Sequence, residues 1–251
     1  MKRFENRVAL VTGASRGIGE ALAVALAAAG ARLVLASRKL EGVEAVAKAI
    51  RDQGGEALAV ACHTGRASEV EAVVARAKEA FGGVDVLINN AATNPHYGPL
   101  LEADEGHWDK TFEVNVKGYV HPIRACVPVM RERGGGAIVN VASVAGLIPH
   151  RGLGVYGVSK AAVLMLTKTL ALELARDNIR VNAIAPTTVM TESRQQMLSD
   201  PDKRAAALSR IPSGRFATPE DIAAAVVYLA SPGAASVTGH TLPVDGGLTA
   251  V

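Results

Sequence analysis

The sequence predicts a single α/β domain in which a parallel sheet is covered by helices on both faces. Short apolar runs alternate strictly with helical stretches along the chain. The runs are apolar along their whole length, as strands buried on both faces are. The 251 residues contain no linker, composition shift, internal repeat or low-complexity segment, which suits one large core.

Each element has its own signal. Residues 7–12 form an apolar run that ends at glycine, the first strand. Residues 18–29 are alanine-rich and helical, and Gly30 ends them. Residues 32–37 read as the second strand and 40–53 as the second helix, closed by Gly54-Gly55. Strand 57–62, helix 68–81 and strand 84–89 continue the alternation. A single helix over about 107–131 leads through three glycines to strand 137–142. The next helix carries Tyr156 and Lys160 and runs to about 176, before strand 180–185. Residues 187–214 have mixed polarity and read either as a mobile lid or as two short helices. Helix 219–230 and strand 241–244 close the fold.

Composition narrows the function classes. The apolar share is 49 %, the charged share 20 %, and the net charge of +3 is scattered without a basic run. Nucleic acid is therefore not an expected partner. Cys62 and Cys126 lie in separate apolar segments and read as reduced core residues. No His, Cys and carboxylate set has metal-site spacing, so no metal is expected. The longest apolar run, 21–31, is too short to cross a bilayer, and the first six residues lead straight into a strand with no room for a signal peptide. The expectation is a soluble cytoplasmic protein.

The chemistry-bearing stretch is 139–168. Ser143 stands where a buried strand should stop, and Tyr156 and Lys160 lie one helical turn apart on one face. A free tyrosine titrates at about 10 and is a poor acid or base at neutral pH. A nearby cation favours the phenolate and lowers that value. With a serine hydroxyl to hold a carbonyl or alcohol oxygen, the three groups suit proton transfer to an oxygen whose carbon gains or loses hydride.

The other end of the chain suits a nucleotide. Gly13, Gly17 and Gly19 join the first strand to the first helix, with Ser15, Arg16 and Ile18 between them. Such a turn brings backbone close to a pyrophosphate at a helix N-terminus. An unphosphorylated adenosine ribose usually calls for a carboxylate about 20 residues on. That place holds Ser37-Arg38, and no Asp or Glu occurs between Arg32 and Leu40. Arg16, Arg38 and a hydroxyl around one point suit a 2′-phosphate, which points to NADP(H).

Together these residues resemble the short-chain dehydrogenase/reductase family over nearly the whole chain. The glycine turn, Asn89-Asn90-Ala91-Ala92, Asn115, Ser143 and the Tyr156/Lys160 pair stand in the family's order and spacing. The resemblance implies a Rossmann-type, doubly wound parallel sheet, with residues 1–90 mainly binding cofactor and 187–214 covering substrate. It implies Tyr156 as general acid in reduction and base in oxidation, and Lys160 as the cation that lowers its pKa and holds the nicotinamide ribose. Ser143 would orient the carbonyl, and Asn115 would hold a water that relays protons from Lys160. The implied cofactor set is Gly13, Ser15, Arg16, Gly17, Ile18, Gly19, Ser37, Arg38, His63, Thr64, Asn90, Ala91, Tyr156, Lys160, Pro186, Val189 and Thr191. Asn90 would lie near the ribose, and Val189 and Thr191 at the carboxamide.

Three positions depart from the family pattern. His63 replaces an aspartate near the adenine, Thr187 replaces the glycine after the proline, and Ala92 replaces a glycine. Residues 37–39, 62–65, 89–95 and 108–111 look like the NADP-dependent carbonyl and retinal reductases of the family. The chain ends Leu248-Thr249-Ala250-Val251, without the peroxisomal tripeptide of the animal members.

Expected pocket walls are Thr93, Asn94, His96, Tyr97, Ala145, Ile148, His150, Leu153, Met190, Met197 and Leu198, mostly apolar or neutral. They suit a small neutral ketone or aldehyde. A 3-oxoacyl-[acyl-carrier-protein] reductase is the nearest alternative, followed by a sugar or polyol dehydrogenase and a non-catalytic NADP(H) sensor. The helices over 107–131 and 155–176 look too apolar for one buried face each. By resemblance this suggests a homotetramer, with a dimer as second choice.

Overall fold

The computed structural model describes residues 3–250, apart from the side chains of Ser193 and Met197. The expected pocket role of Met197 lies outside the described residues. Seven strands form one parallel sheet in the order β3-β2-β1-β4-β5-β6-β7. They are β1 Val8–Thr12, β2 Arg32–Ser37, β3 Ala57–Ala61, β4 Val86–Asn89, β5 Gly136–Val141, β6 Ile179–Pro186 and β7 Thr241–Val244. The order runs one way from β1 to β3 and the other way from β4 to β7, so the chain switches direction between β1 and β4. Ligands of open α/β sheets bind beyond the carboxyl ends of the strands at such a switch.

Alternate side chains of each strand enter opposite cores. Ala9 and Val11 of β1 pack with α1 (Gly17–Ala28), α2 (Leu40–Asp52) and α9 (Pro219–Ala230) through Leu22, Leu26, Val43, Ile50, Ile222 and Val226. Val8 and Leu10 face α3 (Ala67–Phe81), α5 (Gly118–Glu132) and α6 (Gly154–Leu174) through Val70, Val74, Ile123, Met130, Ala171 and Leu174. The doubly wound α/β expectation is met.

At the amino ends of the strands a buried charge joins three segments. Asp85 precedes β4, and its side chain is 2 % exposed. It accepts from Arg7 Nη1 (2.9 Å), Val8 N (2.8 Å), and Arg133 Nε and Nη2 (3.0 and 2.9 Å). Burial pushes this carboxyl up, but the hydrogen bonds from Arg133, Val8 and Arg7 outweigh it and hold the group below its ordinary value.

Two expectations need correction. The single helix over 107–131 is instead α4 (Glu105–Phe112), a π turn (Glu113–Lys117) and α5. Within the π turn the Asn115 amide bonds to the backbone of Thr93, and Gly118 passes so close to Thr64 that a Cβ would lie 2.7 Å from its Oγ1. Such turns concentrate at functional sites. The second correction concerns length: residues 154–177 are long and apolar enough to cross a membrane by length and composition, with mean hydropathy 1.3. The segment contains α6, which instead packs along β6 and buries Val163, Thr167, Ala171 and Leu174. Scattered Ser, Lys and Thr residues break its apolar run without lowering the average much. Of the two readings of 187–214, the structure has short helices, α7 (Glu192–Met197) and α8 (Pro201–Leu208). Asp200 caps α8, and Pro201 opens it.

Candidate active site

The cofactor end is built around the turn from β1 to α1. Gly13 and Gly17 have φ of +65° and +58°, the left-handed region that favours glycine. A Cβ on Gly19 would lie 2.1 Å from the Gly13 carbonyl oxygen, so the first turn of α1 closes on the loop only with glycine there. A Cβ on Gly17 would lie 3.0 Å from Thr191 Cγ2, which places the start of α7 over the turn. The Arg16 side chain, at the N-cap, does not cap α1, whose positive N-terminal end suits an anion.

Asn90 braces this turn from β4. Its Nδ2 donates to the carbonyls of Thr12 (3.0 Å) and Gly13 (3.1 Å). The amides of Asn90 and Ala91 donate to Thr12 Oγ1 at 3.0 and 3.2 Å. Asn90 was expected near a ribose; in the structure it lines the cleft and also holds the glycine loop.

That cleft has a volume of about 1200 Å³ and is lined by Gly13, Ser15–Gly19, Ser37, Arg38, His63, Thr64, Asn90, Ala91 and Thr191, among others. Arg16 and Arg38 are exposed, and neither side chain forms a hydrogen bond or ion pair among the described residues. Ser37 Oγ donates to Ser15 Oγ at 3.2 Å, so two hydroxyls lie together at the end of β2. The His63 ring is drawn toward α4: Nδ1 accepts from Gly65 N, and Nε2 lies 3.2 Å from Lys110 Nζ. Glycines, hydroxyls and two cationic side chains without a partner among the described residues fit a nicotinamide dinucleotide.

The catalytic end is a buried polar network at the carboxyl ends of β4 and β5. Asn89 Nδ2 donates to Asn140 Oδ1, and Asn140 Nδ2 to Thr167 Oγ1, tying β4, β5 and α6 together. Ser143 follows β5, and its Oγ accepts from Ala145 N at 3.1 Å. Tyr156 and Lys160 stand one turn apart on α6, as the spacing requires. Lys160 is 1 % exposed and donates to the Val141 carbonyl (2.8 Å) and the Tyr119 hydroxyl (3.1 Å). Its Nζ lies 5.6 Å from the Tyr156 ring centre.

The electrostatics differ from the expectation. Burial pushes the Tyr156 hydroxyl up; the Ser143 hydrogen bond and the Arg194 charge pull it down without cancelling the burial. Lys160 does not lower Tyr156 here, because its ammonium points at Val141 and Tyr119 and because burial pushes Lys160 itself down to about 7.

Asn115 is 0 % exposed. Its Oδ1 accepts from Thr93 N (2.8 Å), and its Nδ2 donates to Thr93 O (2.9 Å) and Ser159 Oγ (3.0 Å). Both amide hydrogens are committed, so a relay water at Asn115 would donate to a carbonyl oxygen and could not accept from the side-chain amide. Thr12, Tyr119 and Ser159 were missed from the sequence, and Thr93 was expected as a pocket wall but not as the partner of Asn115. Each looks like an ordinary core or loop residue until the chain is folded.

Of the expected pocket walls, Tyr97 packs its ring where a Cβ on Gly152 would stand, and Gly98 bridges to Leu153. These contacts join loops 93–99 and 147–153. His96 bonds to the Pro99 carbonyl at 3.0 Å and lies beside His107. Burial and then Arg210 push His150 down. Pro186 ends β6, and Val189 bridges to Ala217 under the start of α7. Burial pushes the Cys62 and Cys126 thiols up to about 11 and about 12, which makes both inert. No three His, Cys, Asp or Glu among the described residues are grouped to hold a metal.

Comparisons with known proteins identify the family. Residues 13–249 match the family model described as enoyl-(acyl carrier protein) reductase. The chain is 43 % identical to dehydrogenase/reductase SDR family member 4 of Sus scrofa over 246 residues, covering 98 % of this chain and 88 % of that one. The Homo sapiens protein of that name is 42 % identical, with 96 % and 87 % covered. A short-chain type dehydrogenase/reductase from Mycobacterium marinum superposes with a TM-score of 0.92 at 33 % identity, over 99 % and 97 % of the two chains. A 7α-hydroxysteroid dehydrogenase, solved with NADH and 7-oxo glycochenodeoxycholic acid, gives 0.93 at 33 % identity, over 98 % and 95 %. This chain belongs to the short-chain dehydrogenase/reductase family, a family of oxidoreductases that act on alcohol and carbonyl groups with nicotinamide cofactors.

Proposed function

We propose that the protein is an NADPH-dependent reductase of small neutral ketones or aldehydes, reversible as an alcohol dehydrogenase. One observation carries the cofactor choice: Arg16 and Arg38 stand unpaired beside Ser15 and Ser37, at a strand end that has no carboxylate. A 2′-phosphate supplies the missing anion. The amides at the start of α1 would hold the pyrophosphate, and Val189 and Thr191 the carboxamide. When bound, NADPH supplies the hydride. Ser143 holds the carbonyl oxygen, and Tyr156 gives it a proton. The raised Tyr156 pKa keeps that proton in place at neutral pH until the oxygen gains charge.

We propose further that it works in the cytoplasm and assembles as a homotetramer. Val158, Met165 and Leu172 recur at seven-residue intervals along α6 with 44, 62 and 83 % exposure, an apolar stripe that suits a second copy. A 3-oxoacyl thioester reductase is the second reading, favoured by the carrier-protein description of the matching family model.

Oxidation of NADPH and NADH against neutral ketones, aldehydes, a 3-oxoacyl thioester and a keto-sugar tests both readings. The expected result is turnover with NADPH that exceeds turnover with NADH, best with a neutral ketone or aldehyde. Tyr156→Phe should lower kcat by roughly 10²–10⁴-fold and leave NADPH binding intact. A preference for NADH overturns the phosphate-site reading, and a preference for the thioester selects the rival.

A further inference from the structure

Tyr119 is the buried titratable group that the proposed mechanism leaves unused. It is 0 % exposed and lies on α5, one turn beyond Asn115. Its hydroxyl donates to the Val141 carbonyl at 2.8 Å. The same carbonyl accepts from Lys160 Nζ at 2.8 Å, and Lys160 also donates to the Tyr119 oxygen at 3.1 Å. Lys160, Tyr119 and the last residue of β5 thus close a three-membered hydrogen-bonded ring. Nζ lies 5.0 Å from the Tyr119 ring centre and 5.6 Å from that of Tyr156, so the ammonium is between two tyrosines and bonded to the inner one.

The inner seat provides two acceptors for a group with three hydrogens. An ammonium buried away from water needs such partners, and this one has been pushed down by burial even with them. The seat therefore holds Lys160 where it cannot serve Tyr156 or a ribose hydroxyl fully.

We propose that Tyr119 is a positioning residue that, with the Val141 carbonyl, forms a resting seat for the Lys160 ammonium, and that binding a nicotinamide cofactor draws Lys160 off this seat. The inference rests on Lys160 meeting the nicotinamide ribose. It makes Tyr119 a competitor of the cofactor for one cation. Part of the binding energy is used to break the ring, so cofactor affinity is lower than the cleft alone would give.

Tyr119→Phe removes one acceptor and keeps the ring in the core. NADPH should then bind more tightly, by roughly two- to tenfold, the worth of one net hydrogen bond. KM for NADPH should fall in step, while KM for the carbonyl stays within about twofold. A merely structural role would loosen binding. The gain must also vanish when Lys160→Met is already present, because it acts through that side chain. Equal or weaker NADPH binding by Tyr119→Phe, or a gain that survives Lys160→Met, overturns the seat. Should the variant not fold, a crystal structure of the wild-type NADPH complex decides: Lys160 should have left the Val141 carbonyl and Tyr119, and a complex that keeps both bonds overturns the proposal. A wild-type protein that binds neither NADPH nor NADH would instead refute the underlying cofactor reading.

Discussion

Two pairs of arginines stand at opposite ends of one parallel sheet, and their surroundings differ. At the amino ends of the strands, Arg7 and Arg133 converge on the buried Asp85. At the carboxyl ends, Arg16 and Arg38 have no partner among the described residues and line a cleft. The first pair shares one buried carboxylate within the chain and so holds β1, β4 and the end of α5 together. The second suits an anion from outside.

The comparison can be broken from either end. Asp85→Ala leaves two guanidiniums around a buried site and should cost about 3 kcal/mol or more. Thermal unfolding should then fall by roughly 6–12 °C. The NADPH-to-NADH preference should be untouched; a change in preference would show that the two ends are coupled. Arg16→Ala with Arg38→Ala should do the opposite. NADPH affinity should fall tens- to hundreds-fold, roughly the worth of one or two charge-assisted hydrogen bonds, with NADH affinity within about twofold and the melting temperature unchanged. Titration calorimetry with both cofactors reads this directly.

Smaller effects sharpen the contrast. Asn90→Ala removes two hydrogen bonds from the glycine turn and should weaken both cofactors equally, by about tenfold, since it touches the loop and not the phosphate cations. Acid provides the gentlest probe. The folded Asp85 pKa lies below its unfolded value, so its contribution is fully present above the ordinary carboxylate range of about 4 and is lost as pH falls through the folded value. Denaturation followed from pH 6 down to pH 2 should show this slope in the wild type and a shallower one in Asp85→Ala.

Much of this was legible in the sequence. Fully apolar strands gave the parallel sheet, and the glycine turn with Ser37-Arg38, and Ser143 with Tyr156 and Lys160, marked residues that the fold gathers into a cleft and a buried network. Hydrogen bonds between residues far apart in the chain were not legible. Nothing near Asn115 in sequence shows that Thr93 and Ser159 would occupy its amide, and nothing marks Tyr119 as a partner of Lys160. The expected lowering of Tyr156 failed for the same reason: spacing places Lys160 on the right face of the helix but does not say where its ammonium points.

The π turn at Glu113–Lys117 bears on how a helix keeps its phase. Thr111, Asn115, Tyr119, Ile123 and Val127 are all buried at a spacing of four. On a regular helix of 3.6 residues per turn, such a series would drift by about 40° at each step and wind away from its neighbours. A wider turn at the middle of the series offsets part of that drift. Asn115 and Tyr119 can therefore both look toward α6, one bonding Ser159 and the other Lys160. A one-residue deletion within 113–117 would rotate the rest of α5 by about 100° and move Tyr119 out of register with the lysine, even with every named side chain retained.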